Sequence, residues 1–326
     1  MSINWNEILN PFLKKAKNPL IVILGPTASG KTALGLKIAH LTDGEIISAD
    51  SRQVYREMNI GTDKIPQEKQ ENIPHHMLNI VNPDEPFTLA DFKDRTEKII
   101  EEIRERGHVP FLVGGTGLYI SAVTENYLIP RVEPNKELRE KLLEEAKNKP
   151  HDYLHKKLQE IDPDEAVKIH PHNLRYVIRA LEINLSRNEA FAADYLHARR
   201  EECFSEVPIV NQEKKTKKGH SRYDTFFIGI RWPREELYER VNMRVDQQLR
   251  GGLLAEVEKL LGKYDPRLPS MSSLGYKELV SFLKGECTYP EAVELIKKNT
   301  RNYAKRQMTW FRRNESILWI DGHKIV

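Results

Sequence analysis

Gly25-Pro26-Thr27-Ala28-Ser29-Gly30-Lys31-Thr32 is the stretch on which the fold turns. It fits G-x-x-x-x-G-K-[ST], and its flanks are those the motif requires. Leu20 to Leu24 before it is a short apolar run of the kind that forms a buried strand, and Lys31 to about Leu41 after it reads as a helix. The glycines let successive backbone N–H groups face one concavity, the helix N-terminus adds partial positive charge, and Lys31 adds a full one. The Thr32 hydroxyl suits a Mg²⁺ ion shared with two phosphates. A glycine turn without a ligand would not need the Lys-Thr pair in register, so residues 25–32 are expected to hold a di- or triphosphate.

Working outward, Asp43-Gly44 makes a turn and Glu45 to Ala49 a second strand that ends at Asp50. A helix from about Leu89 to Arg106 is closed by Gly107, and Val109 to Val113 gives a third strand ending at Gly114-Gly115. Strands alternating with helices predict an α/β fold, a P-loop NTPase-like parallel sheet core flanked by helices. From Pro130 to about Arg200 strand signals vanish, charge rises and Pro150, Pro163 and Pro171 punctuate helical segments, which predicts an inserted all-helical domain. Phe226 to Ile230 and Ile317 to Ile320 resume strand character, with long helices between them, one of them from Arg234 to Leu261. The expected division is 1–127 for the first part of the core, 128–210 for the insertion, and 211–326 for the completing part. The polar, basic stretch from Asn211 to Arg222 is expected to be a mobile link.

The two cysteines, Cys203 and Cys287, form no CxxC or Cys/His spacing, so neither a structural zinc nor a disulfide framework is expected. The N-terminal MSINWNEILNPFLKKAK lacks a signal peptide's apolar stretch, and no run approaches the roughly 20 apolar residues of a membrane span. A cytoplasmic protein with no membrane partner is expected, and nothing demands more than a monomer. A net charge of +3 says little about nucleic acid, but its distribution does. Between Lys297 and Arg313 stand seven basic residues and no acidic one. Helical spacing puts Arg301, Lys305 and Arg312 broadly on one side and turns Tyr303 and Trp310 elsewhere, to pack inward. Lys214, Lys215, Lys217, Lys218 and Arg222 make a second basic run. The adjacent His75 and His76 have no partner at ligand spacing, so they are expected to shape a loop and not to hold a metal.

The loop does not identify its phosphate ligand. An ATP-binding loop is the common case, yet an ATPase would carry an apolar strand ending in Asp to organise its metal. Here Val113-Gly114-Gly115-Thr116 supplies no carboxylate, and Asp50 is the strand-end acid near the loop. Asp50 reads equally as a catalytic group, at the strand end where ligands collect, or as an N-cap for a following helix.

The ordered series GPTASGKT (25–32), SADSRQVYREMNIGTDK (48–64), IPHHMLNIV (73–81), VGGTGLYI (113–120), RYVIRALEI (175–183), LGYKEL (274–279) and NTRNYAKRQMTWFRR (299–313) resembles the bacterial tRNA dimethylallyltransferase family. The resemblance runs from about residue 20 to residue 320. It implies transfer of the dimethylallyl group of dimethylallyl diphosphate to N6 of adenosine 37, beside the anticodon, in tRNAs reading codons that start with U. It implies that Gly25, Pro26, Thr27, Ala28, Ser29, Gly30, Lys31 and Thr32 hold the prenyl diphosphate with Mg²⁺ on Thr32, that Arg234 lies near the diphosphate, and that Asp50 and Thr32 are catalytic. By the same resemblance Asp50, Ser51, Arg52, Gln53 and Thr116 meet the target nucleotide. Arg139, Arg175, Tyr176, Val177, Ile178 and Arg179 of the insertion, Gly275, Tyr276 and Lys277, and Arg301, Lys305, Arg306 and Arg312 are implied to contact tRNA. Tyr119 would line an adenine channel or, the better-supported alternative, belong to the core. SRNEAFAADYLHARREECF after Leu185 departs from the family pattern by lacking a Thr-Gly-x-Pro turn. Alternatives are a transferase that prenylates free AMP, which would need neither the insertion nor the basic C-terminal segment, a P-loop small-molecule kinase, and a non-catalytic P-loop RNA-binding protein.

Overall fold

The structure, a computed structural model, describes residues 3–130, 132, 134–186 and 221–325. The basic run at 214–218 and nearly all of the expected link at 211–222, together with the atypical stretch after Leu185 from residue 187 on, lie outside the described residues.

Six strands form one parallel sheet in the order β3-β2-β4-β1-β5-β6. They are β1 (Pro19–Leu24), β2 (Gly44–Ala49), β3 (His75–His76), β4 (Val109–Gly114), β5 (Asp224–Arg231) and β6 (Ile317–Asp321). β1 is buried along its length because it lies between β4 and β5 with helices on both faces, which is why it reads as a continuous apolar run. Leu20, Val22 and Leu24 point into one core with Ile47, Leu112 and Phe92, whereas Ile21 and Ile23 point into another with Ile46, Phe111 and Ile228. The helix α1 (Trp5–Lys15), which the strand-and-helix pattern from residue 20 onward does not include, covers that second face through Trp5 and Leu9.

Register is the property that makes a site. Leu24, Ala49 and Gly114 stand level across β1, β2 and β4, so Gly25, Asp50 and Gly115 leave the sheet from a single carboxyl rim. The helices α2 (Lys31–Thr42), α3 (Leu89–Glu105) and α4 (Gly117–Thr124) follow β1, β3 and β4. Thr88 and Asp91 start α3 with a capping box.

The chain divides into two compact units, residues 1–124 with 222–326, and Glu125–Ser221. The expected insertion begins three residues later, at 128, and the expected end at 210 falls within the second unit. That unit holds α5 (Lys136–Ala146), α6 (Tyr153–Ile161), α7 (Pro163–Lys168) and α8 (Leu174–Leu185), closed around Leu142, Leu154, Leu158, Val177 and Leu181. After β5 the first unit adds α9 (Arg234–Arg250), α10 (Leu253–Leu261), α11 (Tyr276–Leu283) and α12 (Tyr289–Phe311). The single helix expected from Arg234 to Leu261 is therefore broken at Gly251-Gly252. Val245, Leu253, Val257, Leu279 and Ile296 from these helices enclose Val54 and Met58 in a third core, which anchors the chain leaving Asp50.

Candidate active site

The loop 25–30 connects β1 to α2 through three residues with positive φ, Gly25 at 152°, Ala28 at 61° and Gly30 at 96°, the last forming the cap of α2. Such turns point successive N–H groups inward. Lys31 Nζ donates to Pro26 O at 2.7 Å, folding the lysine back over the concavity. Burial lowers the Lys31 pKa to about 8, with the Arg244 charge acting in the same direction and Asp50 and Asp63 opposing both. The Ser29 hydroxyl is buried and has no hydrogen-bond partner among the described residues, which a phosphate oxygen would satisfy. Thr32 is exposed at the second position of α2.

Sequence reasoning missed the groups that hold this loop from outside. Arg240 Nε donates to Ala28 O at 2.9 Å while its guanidinium lies 4.2 Å from the Trp232 ring centroid. Trp232 Nε1 donates to Ser29 O at 3.1 Å, and Arg244 donates to Thr27 Oγ1 at 2.6 Å and pairs with Asp63 at 3.4 Å. Arg234, expected near the diphosphate, is instead exposed at the start of α9, where it donates to the Tyr238 hydroxyl at 3.2 Å. The cationic side chains of α9 that reach the loop are those about two and three turns farther on, Arg240 and Arg244. Their spacing of four within REELYERVNMRVDQQL was the available signal, since it puts two cations on one helix face.

Asp50 caps no helix. Its Oδ1 accepts the Arg52 N–H at 2.8 Å in a tight turn, and its charge is felt by Lys31, Lys64 and Tyr303. Thr116, at the end of β4, accepts the Ser51 N–H at 3.1 Å and donates its own N–H to Ala49 O. The 50–53 and 114–117 turns are thus one assembly beside the phosphate loop. Arg52 reaches out to Pro269 O at 2.8 Å. Gln53 turns inward: Ser48 donates to its carbonyl, and its amide donates to Thr62 O at 3.1 Å. Its side chain therefore ties β2 to the 59–64 segment.

Several residues expected at the RNA surface are interior. Tyr276 is fully buried, its hydroxyl donating to Glu256 at 2.6 Å, and Glu256 in turn accepts the N–H groups of Asn59, Ile60 and Gly61. Gly275 is buried as the cap of α11, and Lys277, two residues on, is exposed. Val177 and Ile178 belong to the core of the second unit. Arg139 and Arg179 both pair with Glu182, which is 0% exposed, so each arginine has a structural charge to satisfy. Arg175 is exposed and Tyr176 half-buried. Of the basic α12 segment, Arg301 donates to Asn242 at 2.6 Å, whereas Lys305, Arg306 and Arg312 are exposed. Tyr119 is core, stacked on Phe92 with centroids 3.9 Å apart. His76 bonds Glu45 at 2.7 Å and His75 bonds Ile73 O at 2.8 Å. Among the described residues no group of three His, Cys, Asp or Glu is placed to hold a metal, and no helix is long and apolar enough to cross a membrane.

A phosphate loop at the carboxyl rim of a parallel sheet, flanked by cationic helix side chains and by a strand-end aspartate, defines a P-loop α/β enzyme acting on a phosphorylated small molecule. Residues 53–314 match the model of the IPP transferase family and residues 18–78 that of isopentenyl transferase. The tRNA dimethylallyltransferase of Acetivibrio thermocellus is 46% identical over 303 residues, 93% of this chain and 91% of that protein. That of Symbiobacterium thermophilum is 44% identical over 305 residues, 94% and 90% of the two chains. Among solved structures, the tRNA isopentenylpyrophosphate transferase of Bacillus halodurans matches with a TM-score of 0.66 and 40% identity, covering 94% of this chain and 90% of its own. A eukaryotic dimethylallyltransferase acting on tRNA matches with a TM-score of 0.74 and 29% identity, covering 94% and 74%. The chain belongs to the IPP transferase family.

Proposed function

We propose that this protein transfers the dimethylallyl group of dimethylallyl diphosphate to N6 of adenosine 37 in tRNAs that read codons starting with U. The observation that carries this reading is the convergence of Lys31, Arg240 and Arg244 on the loop at 25–32, with the Asp50 carboxylate on the same rim. Such a reaction needs cations where diphosphate departs and a proton acceptor where the amine attacks. The tRNA substrate is argued from the relatives' activity on tRNA together with the exposed cations of α12.

The adenine amine is a weak nucleophile because its lone pair is delocalised into the ring. Its N6 forms the new bond to the allylic C1 as the C1–O bond breaks, the bonding pair leaves with the diphosphate, and the N6 proton passes to Asp50. Lys31 and Arg244 offset the charge gathering on the leaving group. Thr32 with phosphate oxygens and water is the set that would hold Mg²⁺, an ion that prefers oxygen and keeps several waters. That set fits the exposed Thr32 at the start of α2. When bound, the ion neutralises diphosphate charge. The adenine has to leave the anticodon-loop stack to reach the rim, where Ser51 and Thr116 would meet it.

Incubating the protein with Mg²⁺, dimethylallyl diphosphate and either unmodified tRNA or AMP, then weighing the nucleosides, tests the reading. Prenyl mass on a tRNA adenosine is expected, and product with AMP alone would make the AMP-directed alternative correct. Asp50→Asn keeps the acceptor for the Arg52 N–H and should lower kcat by roughly 10²–10⁴-fold while tRNA affinity stays within a few-fold. Parallel losses in both would mean that Asp50 only positions RNA.

A further inference from the structure

Gln307 is a buried side chain of α12 whose carboxamide reaches both substrate loops. Its Oε1 accepts the Thr27 N–H at 2.9 Å, and its Nε2 donates to Gly115 O at 2.8 Å. The two partners fix the orientation of the amide, because a backbone N–H can only donate and a carbonyl can only accept. The approach is close: a Cβ on Gly115 would lie 2.3 Å from Gln307 Nε2. Tyr303, one turn earlier, shares a hydrogen bond with Thr116, and Trp310, one turn later, would meet a Cβ on Gly117 at 2.3 Å. One face of α12 therefore seats the whole 115–117 turn, and among these three side chains it is Gln307 that also reaches the phosphate loop. The Thr27 N–H is spent on this bond and does not face a phosphate, so the loop limb at Pro26-Thr27 is set from α12.

We propose that Gln307 is a positioning residue that fixes the distance between the diphosphate loop and the Ser51–Thr116 assembly. This rests on the function proposed above. Only a neutral carboxamide bridges the two. Glutamate keeps the acceptor for Thr27 but sets a carboxylate against the Gly115 carbonyl, and methionine keeps the shape while leaving both backbone groups unpaired.

The test compares wild type, Gln307→Glu and Gln307→Met in steady-state prenylation of tRNA, with tRNA affinity measured separately by filter binding and inorganic pyrophosphate affinity by calorimetry. Both variants should lose on the order of tenfold to a hundredfold in kcat/KM for the prenyl diphosphate and bind pyrophosphate more weakly. Their tRNA affinity should match wild type. Unchanged donor kinetics in a folded variant, or a loss confined to tRNA binding, would overturn the assignment, the latter by making Gln307 an RNA-binding group. Failure of both variants to fold would overturn it as well, by making the bridge a requirement of the fold. If wild type itself forms no prenylated tRNA, the failure belongs to the proposed function, and pyrophosphate affinity still reports on Gln307.

Discussion

Lys31 is a cation held where cations are costly. Burial and the neighbouring Arg244 bring its pKa to about 8, so near that pH about half of the free protein carries a neutral lysine at the centre of its phosphate loop. A bound diphosphate reverses the balance by supplying negative charge, and the lysine regains its proton. The sign follows: the protonated form, dominant below about pH 8, binds, and binding above that pH draws a proton from solution. Pyrophosphate affinity should weaken with pH above about 8, by up to about tenfold per unit from this group, with proton uptake visible in calorimetry run in buffers of different ionisation enthalpy. Lys31→Arg stays charged and shares pyrophosphate's own ionisation, so the difference between the two proteins isolates the lysine. Equal pH profiles would defeat the account. Lys31 was legible because the motif names it, whereas Arg244, which shifts it, was not, because some 213 residues of chain separate the two positions and only folding brings α9 to the loop.

At the level of the element, α12 shows how a single charge count conceals two roles. Of its basic residues, Lys297 pairs with Asp246 at 2.8 Å and Arg301 bonds Asn242, both on α9, so these hold helix to helix. Lys298, Lys305, Arg306, Arg312 and Arg313 are exposed, and of these Lys305, Arg306 and Arg312 are the ones that the family resemblance points to for neutralising phosphates. Replacing those three with Ala should flatten the plot of log affinity for tRNA against log salt by about 2, at about 0.7 for each phosphate no longer neutralised, measured by filter binding. Arg301→Ala should leave the slope unchanged, and an equal effect of both sets would remove the distinction. The helix and its charge could be read from periodicity. Its ties could not, because they depend on which neighbour α12 packs against. The same limit explains the other misreadings. Apolar spacing runs on through Gly251-Gly252 and hides the break between α9 and α10, and β3 is two residues long, too short for any alternation to show. Val177 and Ile178 sit in a family-like motif beside exposed Arg175, but at helical spacing they turn to the core.

The first unit is made from two distant stretches of chain, and β1 is paired on one side by a strand before the second unit and on the other by a strand after it. The alternation of strands and helices made that architecture readable, while the strand order needed the structure. The proposed catalytic groups occupy one rim of this sheet, and the second residue of β2, near the opposite rim, carries a dense ionic tie. Glu45, 2% exposed, accepts from Arg106 at 2.9 and 2.8 Å, with His76 at 2.7 Å and His108 at 2.8 Å also on its oxygens. It thereby joins β2 to β3, to the end of α3 and to the approach to β4. Burial alone would push its pKa up, but the hydrogen bonds from Arg106, His76 and His108 outweigh it and hold the carboxyl at about 2. A folded pKa below the unfolded value of 4.5 means that the stabilisation is complete above about pH 4.5 and fades as pH falls toward 2. Glu45→Gln should therefore melt below wild type at pH 7, and the gap between them should narrow steadily from about pH 4.5 to pH 3 in calorimetric scans. The gap is the informative quantity, because every other carboxylate titrates alike in both proteins. Were it to stay constant down to about pH 3, the ionised state of Glu45 would not be what fastens this end of the sheet, and shape alone would account for the loss on substitution.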